Sequence, residues 1–214
     1  MSDQDPKTDV PIQDQNLYQA FRRLKAKDYE GAEHLIKDGM KIARDTGDTN
    51  LEGVYLSAMG LMYKLQSDYK KAYKVYQQAE KFLKDDHSLK IISAVLLIEQ
   101  FKQYETALRK LSKVVTEAND PALVHHAKSL QALALFYMKK NKEAEALFID
   151  VVRCDFSVLR SAANVEFKAV EVFCGKGVFK DLCKAFLQKA LELAKRHGEK
   201  GYVRAIEKLL PLVG

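Results

Sequence analysis

The chain has 214 residues, 47% hydrophobic and 30% charged, which is a soluble globular composition that excludes wholesale disorder. With only four prolines and ten glycines it is too poor in turn residues for a many-stranded β fold. The net charge is +6, and +5 of it lies from Arg160 onward, where eleven Lys or Arg face six Asp or Glu. Residues 1–13 are polar and carry Asp3, Asp5, Asp9, Pro6 and Pro11, which reads as a disordered tail with no secretory signal. From about residue 14 apolar side chains recur at three- and four-residue spacings, and no glycine occurs from Leu61 through Cys174, so helix is expected to follow helix.

Along this helical stretch one frame repeats. Tyr69, Ala72, Tyr76 and Ala79 place a large residue, then a small one at +3, a large one at +7 and a small one at +10. Tyr29, Ala32, Ile36 and Gly39 fit the same frame, as do Tyr104, Ala107, Leu111 and Val114, and Asn141, Ala144, Phe148 and Val151. A looser fifth copy is Phe179, Leu182, Phe186 and Lys189. Offsets of 3, 7 and 10 share one helix face, and the small residues let a neighbouring helix come close. A second apolar-periodic segment precedes each copy, with Ala20, Gly60 and Ala132 standing twelve residues ahead of Ala32, Ala72 and Ala144. Each repeat is therefore expected to be two antiparallel helices joined by a short polar turn, such as Gln66-Ser67-Asp68. Thr49 to Glu52 reads as a capping box, Asp120-Pro121 as a helix start, and Gly47 and Gly198 as helix stops. Residues 199–214, with Tyr202, Ile206, Leu209 and Leu210, read as a final helix that caps an open stack.

Leu56, Met59, Gly60 and Tyr63 followed by Tyr69, Ala72, Tyr76 and Ala79 resemble the tetratricopeptide repeat family. The likeness covers most of the chain, although the copies are 35 to 40 residues apart and the family's terminal Pro is mostly missing. It implies an all-α, right-handed α-solenoid of antiparallel helix pairs: about five repeats over 14–198, closed by the capping helix. It also implies a non-enzymatic adaptor, scaffold or chaperone that holds an apolar or amphipathic segment of another protein in a concave groove. By position in the repeat, the groove residues would be Ser57, Leu61 and Lys64, then Ile92, Leu96 and Glu99, then Ser129, Leu133, Phe136 and Tyr137, then Phe167 and Glu171. The Lys and Asn clamp with which one subgroup grips chaperone C-termini would fall on Leu17, Phe21, Leu89 and Ser93, none of which is a suitable donor.

Residues for catalysis are sparse. Ser67 to Lys70 has the S-x-x-K form without its companion motifs, Gly175-Lys176-Gly177 lacks a phosphate-loop spacing, and adjacent His125 and His126 leave a helix on different sides. No enzyme activity, cofactor or metal is expected. The longest apolar run, Ile91 to Ile98, is too short to span a bilayer. Three cysteines, Cys154, Cys174 and Cys183, suit a reducing compartment, so a cytoplasmic location is expected. An uncapped solenoid end leaves self-association open. The alternative reading is a basic surface, built from Lys176, Lys180, Lys184, Lys195, Arg196, Lys200, Arg204 and Lys208, that binds nucleic acid or an acidic protein.

Overall fold

The computed structural model describes residues 12–214, with side chains from Gln15 onward. The expected N-terminal tail lies outside the described residues, except that Ile12 and Gln13 open the first helix. Among the described residues the fold is all-α. Its helices are α1 (Ile12–Lys25), α2 (Tyr29–Thr46), α3 (Thr49–Leu65), α4 (Tyr69–Phe82), α5 (His87–Leu96), α6 (Tyr104–Glu117), α7 (Pro121–Tyr137), α8 (Asn141–Arg153), α9 (Lys168–Lys176), α10 (Lys180–Arg196) and α11 (Lys200–Leu209). The chain divides into two compact units at Leu89 and Lys90, inside α5.

The first unit holds the hairpins α1–α2 and α3–α4, with α2 packed on α3. Its core joins Leu24, Ala32 and Met62, with Tyr29, Met59, Leu61 and Tyr63 packed around them. The repeat frame is visible in what is buried: Ala32, Ile36 and Gly39 on α2, and Ala72, Tyr76 and Ala79 on α4. Asp28 and Asp68 cap α2 and α4, their carboxylates accepting from the amides of Gly31 (2.9 Å) and Lys71 (3.1 Å). The start of α3 differs from expectation. Asp48, not Thr49, is the N-cap, accepting from Leu51 N at 2.9 Å, while Glu52 turns away to pair with Arg44 Nε at 2.6 Å. Gly47 ends α2 in the left-handed region as expected.

In the second unit α6 and α8 bury Ala107, Leu111 and Val114, and Ala144, Phe148 and Val151. A five-residue π-turn (Leu97–Phe101) extends α5, and Lys90 at its start pairs with Glu117 at the end of α6 (3.3 Å). Asp120 caps α7 ahead of Pro121, accepting from Ala122 N at 2.9 Å.

The turn inside each of the first four hairpins is the same. Lys27, Ser67, Lys102 and Lys139 all adopt the left-handed region (φ 61°, 62°, 54° and 62°), each five residues before the small residue Ala32, Ala72, Ala107 or Ala144.

The fifth hairpin departs from the frame read in the sequence. Its turn contains two left-handed residues, Gly177 and Phe179. Phe186 is buried as the frame expects, but the extra residue brings Cys183, Leu187 and Ala190 into the core as well, whereas Leu182 and Lys189 are only partly covered. A small side chain, Cys183, thus does occupy the close-approach position. The first helix of this hairpin is short because residues 155–167 form two 3-10 turns (Phe156–Leu159 and Ala162–Asn164). Lys189 fixes that region: its ammonium donates to the carbonyls of Val152 (2.7 Å) and Cys154 (3.2 Å) at the end of α8 and lies 5.6 Å from the Phe156 ring centroid. Glu199 fixes it from the other side, accepting from Ser161 Oγ (2.5 Å) and Ala162 N (2.8 Å). Gly198 ends α10 with φ +69°, and α11 packs back on α10 through buried Ile206.

Candidate binding faces on the first helices

In the first unit the expected partner-binding residues lie on α3, the first helix of its hairpin. Ser57, Leu61 and Lys64 are all half-buried, and Leu61 shares the core contact with Leu24 and Met62. Next to Lys64, Leu65 leaves the helix end exposed, and on α1 the rings of Tyr18 and Phe21 are exposed. Sequence reasoning did not assign Leu65 or Tyr18; both are ordinary apolar residues whose exposure depends on which helix neighbours them.

In the second unit the expected residues divide. Leu96 (1% exposed), Ser129 (0%) and Leu133 (1%) are enclosed. This corrects the expectation that they line an accessible surface. For α7 the reason is crowding: α6, α8 and α9 all pack on it. Lys168 Nζ on α9 also reaches Glu99 on the π-turn after α5 at 2.8 Å. That contact, first of all, holds the Lys168 ammonium above its usual pKa. The hydroxyl of enclosed Ser129 has no hydrogen-bond partner. Ile92 is half-buried on α5.

Phe136 and Tyr137 at the end of α7 stay within reach, Phe136 half-buried and Tyr137 38% exposed. Tyr137 stacks on Tyr104 with ring centroids 5.5 Å apart, and Phe136 meets Phe173 edge-on at 5.3 Å. Burial raises the Tyr137 phenol above its usual pKa; Tyr104 and Glu99 add to this and Lys168 opposes it. The result is an aromatic shelf of Tyr104, Phe136 and Tyr137 beside the Lys168–Glu99 pair. The shelf offers ring faces, two phenols and a neutralised ion pair. Such a surface can take an apolar side chain and hydrogen-bond a backbone, but holds no nucleophile–base arrangement.

Phe167 precedes α9 rather than lying within it. It is covered in part by the cap, since Tyr202 of α11 stacks on it at 6.3 Å while Phe186 meets its other edge at 5.9 Å. Glu171 is exposed on α9. The histidine pair separates as the helix geometry requires. His125 is buried between the rings of Phe156 and Phe186, and neither ring nitrogen has a partner. His126 instead pairs with Glu166. Burial pushes the Glu166 carboxyl upward, but the His126 contact and the Lys168 amide and charge together bring it below its usual pKa.

No family model matches the chain, and no curated protein matches its sequence. Solved structures do match its fold. BtubC (BKLC) from P. vanneervenii is 14% identical with a TM-score of 0.61 over 93% of this chain and 78% of that one. PilW, a type IV pilus biogenesis factor, is 14% identical with a TM-score of 0.59 over 94% and 93%. MamA (residues 41 to end) from Desulfovibrio magneticus RS-1 is 20% identical with a TM-score of 0.57 over 88% and 98%. At these identities the likeness is one of fold: the chain folds as an all-α array of helical hairpins of the tetratricopeptide-repeat type. Among the described residues no helix is long and apolar enough to cross a membrane.

Proposed function

We propose that this chain is a non-enzymatic protein–protein interaction module, an adaptor, scaffold or chaperone, that takes an apolar or amphipathic segment of a partner protein on the faces of its first helices. The helical-hairpin fold supports this reading, and the observation that carries it is the aromatic shelf. Tyr137 stays 38% exposed although it is stacked on Tyr104 and adjoins Phe136, so well-ordered apolar surface is left uncovered. In the second unit the partner rests on Phe136 and Tyr137, with Ile92 and the uncovered edge of Phe167 contributing. In the first unit it rests on Ser57, Leu61 and Lys64. Leu96, Ser129 and Leu133 support these residues from beneath and do not touch the partner. The three free thiols, two of them buried, support a cytoplasmic setting.

The test is capture of partners from native extract by the wild-type chain and by Phe136→Asp and Tyr137→Asp variants, each checked for unchanged helical circular dichroism. Loss of the same captured species in both variants supports the assignment. Equal capture by folded variants overturns it.

A further inference from the structure

The cleft between the end of α10 and α11 has chemistry unlike that of the aromatic shelf. It is about 380 Å³ in volume and is lined by Ala194, Lys195, Gly198, Lys200, Val203, Arg204 and Glu207. Lys195 and Lys200 flank the turn at Gly198, and Arg204 stands one helical turn beyond Lys200, so three cations ring one opening. All three side chains are exposed, and none makes a hydrogen bond or ion pair among the described residues. Nearby Arg196 is different, since Glu192 neutralises it at 2.9 Å. Between the cations Val203 is half-buried and presents an apolar surface, with enclosed Ala194 behind it.

We propose that this cleft is a second docking site, for a short acidic segment of a partner protein whose carboxylates meet Lys195, Lys200 and Arg204 and whose apolar side chain rests on the uncovered part of Val203. Charge complementarity selects the sign of the occupant. The surroundings select its class. Half-buried Val203 gives a side chain something to cover, which a phosphate backbone does not use. Glu207 at the rim repels a continuous run of phosphates, yet accepts a hydrogen bond from a peptide N–H. A cleft of this volume holds one or two side chains. The site is independent of the shelf around Tyr137, because the two share no residue.

The experiment is fluorescence anisotropy of the full chain with a rhodamine-labelled peptide of repeated Glu-Glu-Leu, its Gln-Gln-Leu counterpart, and a labelled oligothymidine, each at low salt. The variants are the triple Lys195→Glu, Lys200→Glu, Arg204→Glu, and a control triple Lys113→Glu, Lys142→Glu, Arg153→Glu of equal net charge. Circular dichroism checks the fold of both. The acidic peptide is expected to bind, the glutamine peptide not to, and the cleft triple to weaken binding about tenfold or more, while the control triple leaves it nearly unchanged. Four results overturn the proposal: no binding of the acidic peptide, equal weakening by both triples, equal binding of the glutamine peptide, or tighter binding of oligothymidine through the same three residues.

Discussion

The ring of Tyr76 on α4 stands directly over Gly60 on α3. A Cβ added at residue 60 would meet Tyr76 Cε1 at 2.5 Å and Cζ at 3.0 Å. The two helices of this hairpin therefore approach as closely as they do because one position has no side chain. The same device recurs between hairpins of the first unit, where a Cβ at Gly39 would collide with Cζ and the hydroxyl of Tyr55.

Gly60→Ala is accordingly expected to destabilise the chain by about 1–3 kcal/mol, the usual cost of overpacking a core, although alanine is the better helix former. Gly175→Ala serves as the control. Residue 175 lies in α9 with nothing within 4 Å of the added carbon, so the helix preference alone should stabilise by about 0.5–1 kcal/mol. Thermal unfolding of both variants checks the pair. A partial rescue of Gly60→Ala by Tyr76→Leu would locate the clash.

The repeated left-handed turn gives a second expectation. An L-residue with a side chain pays about 1–2 kcal/mol to sit there, and glycine does not, although glycine adds freedom to the unfolded chain. Ser67→Gly should therefore stabilise by about 0.5–1 kcal/mol, since the exposed Ser67 side chain makes no hydrogen bond that would be lost. Denaturant titration measures it. Ser67→Val, with a β-branched side chain in the same place, should move the midpoint in the opposite direction.

His125 makes stability depend on pH. Burial between Phe156 and Phe186 is the chief reason its pKa falls to about 4; His126 and Lys128 push the same way and Glu166 opposes them. Above pH 6.5 the ring is neutral in both the folded and unfolded chain, and its contribution is complete. As the pH falls from 6.5 to 4 the unfolded chain binds a proton that the folded chain refuses, so stability declines by roughly 3 kcal/mol in total. The lowered pKa of Glu166 adds a further loss at the acid end, once its pairing with His126 is titrated. Denaturation midpoints between pH 7 and 4 should fall less steeply for His125→Leu than for the wild type. Parallel slopes would show that the ring is solvated in the folded chain.

Lys189 ties α10 to the end of α8 through two carbonyls. Hydrogen bonds from a charged donor are individually strong, so Lys189→Met should cost about 2 kcal/mol. The loss should be local. Amides of residues 151–160 should exchange faster in hydrogen–deuterium exchange while those of α3 and α4 keep their protection.

The hairpins were legible in the local residue pattern. Ala32, Ala72, Ala107 and Ala144 stand where helices approach closely, and a second apolar-periodic segment precedes each; both signals follow from the 3.6-residue period. Asp120-Pro121, Gly47 and Gly198 marked helix ends because capping is local chemistry. At the start of α3 two candidates stood side by side, and only the folded chain decided for Asp48, because Glu52 found Arg44 across the turn instead of closing the box on Thr49. The frame of the fifth hairpin was likewise displaced by one residue, since a turn with two left-handed positions leaves no periodic trace. Exposure was the least legible property. Leu133 and Tyr137 lie on the same helix one turn apart, yet one is enclosed and the other open. That difference depends on which of α6, α8 and α9 packs over each turn of α7, contacts between separate helices that no local pattern encodes.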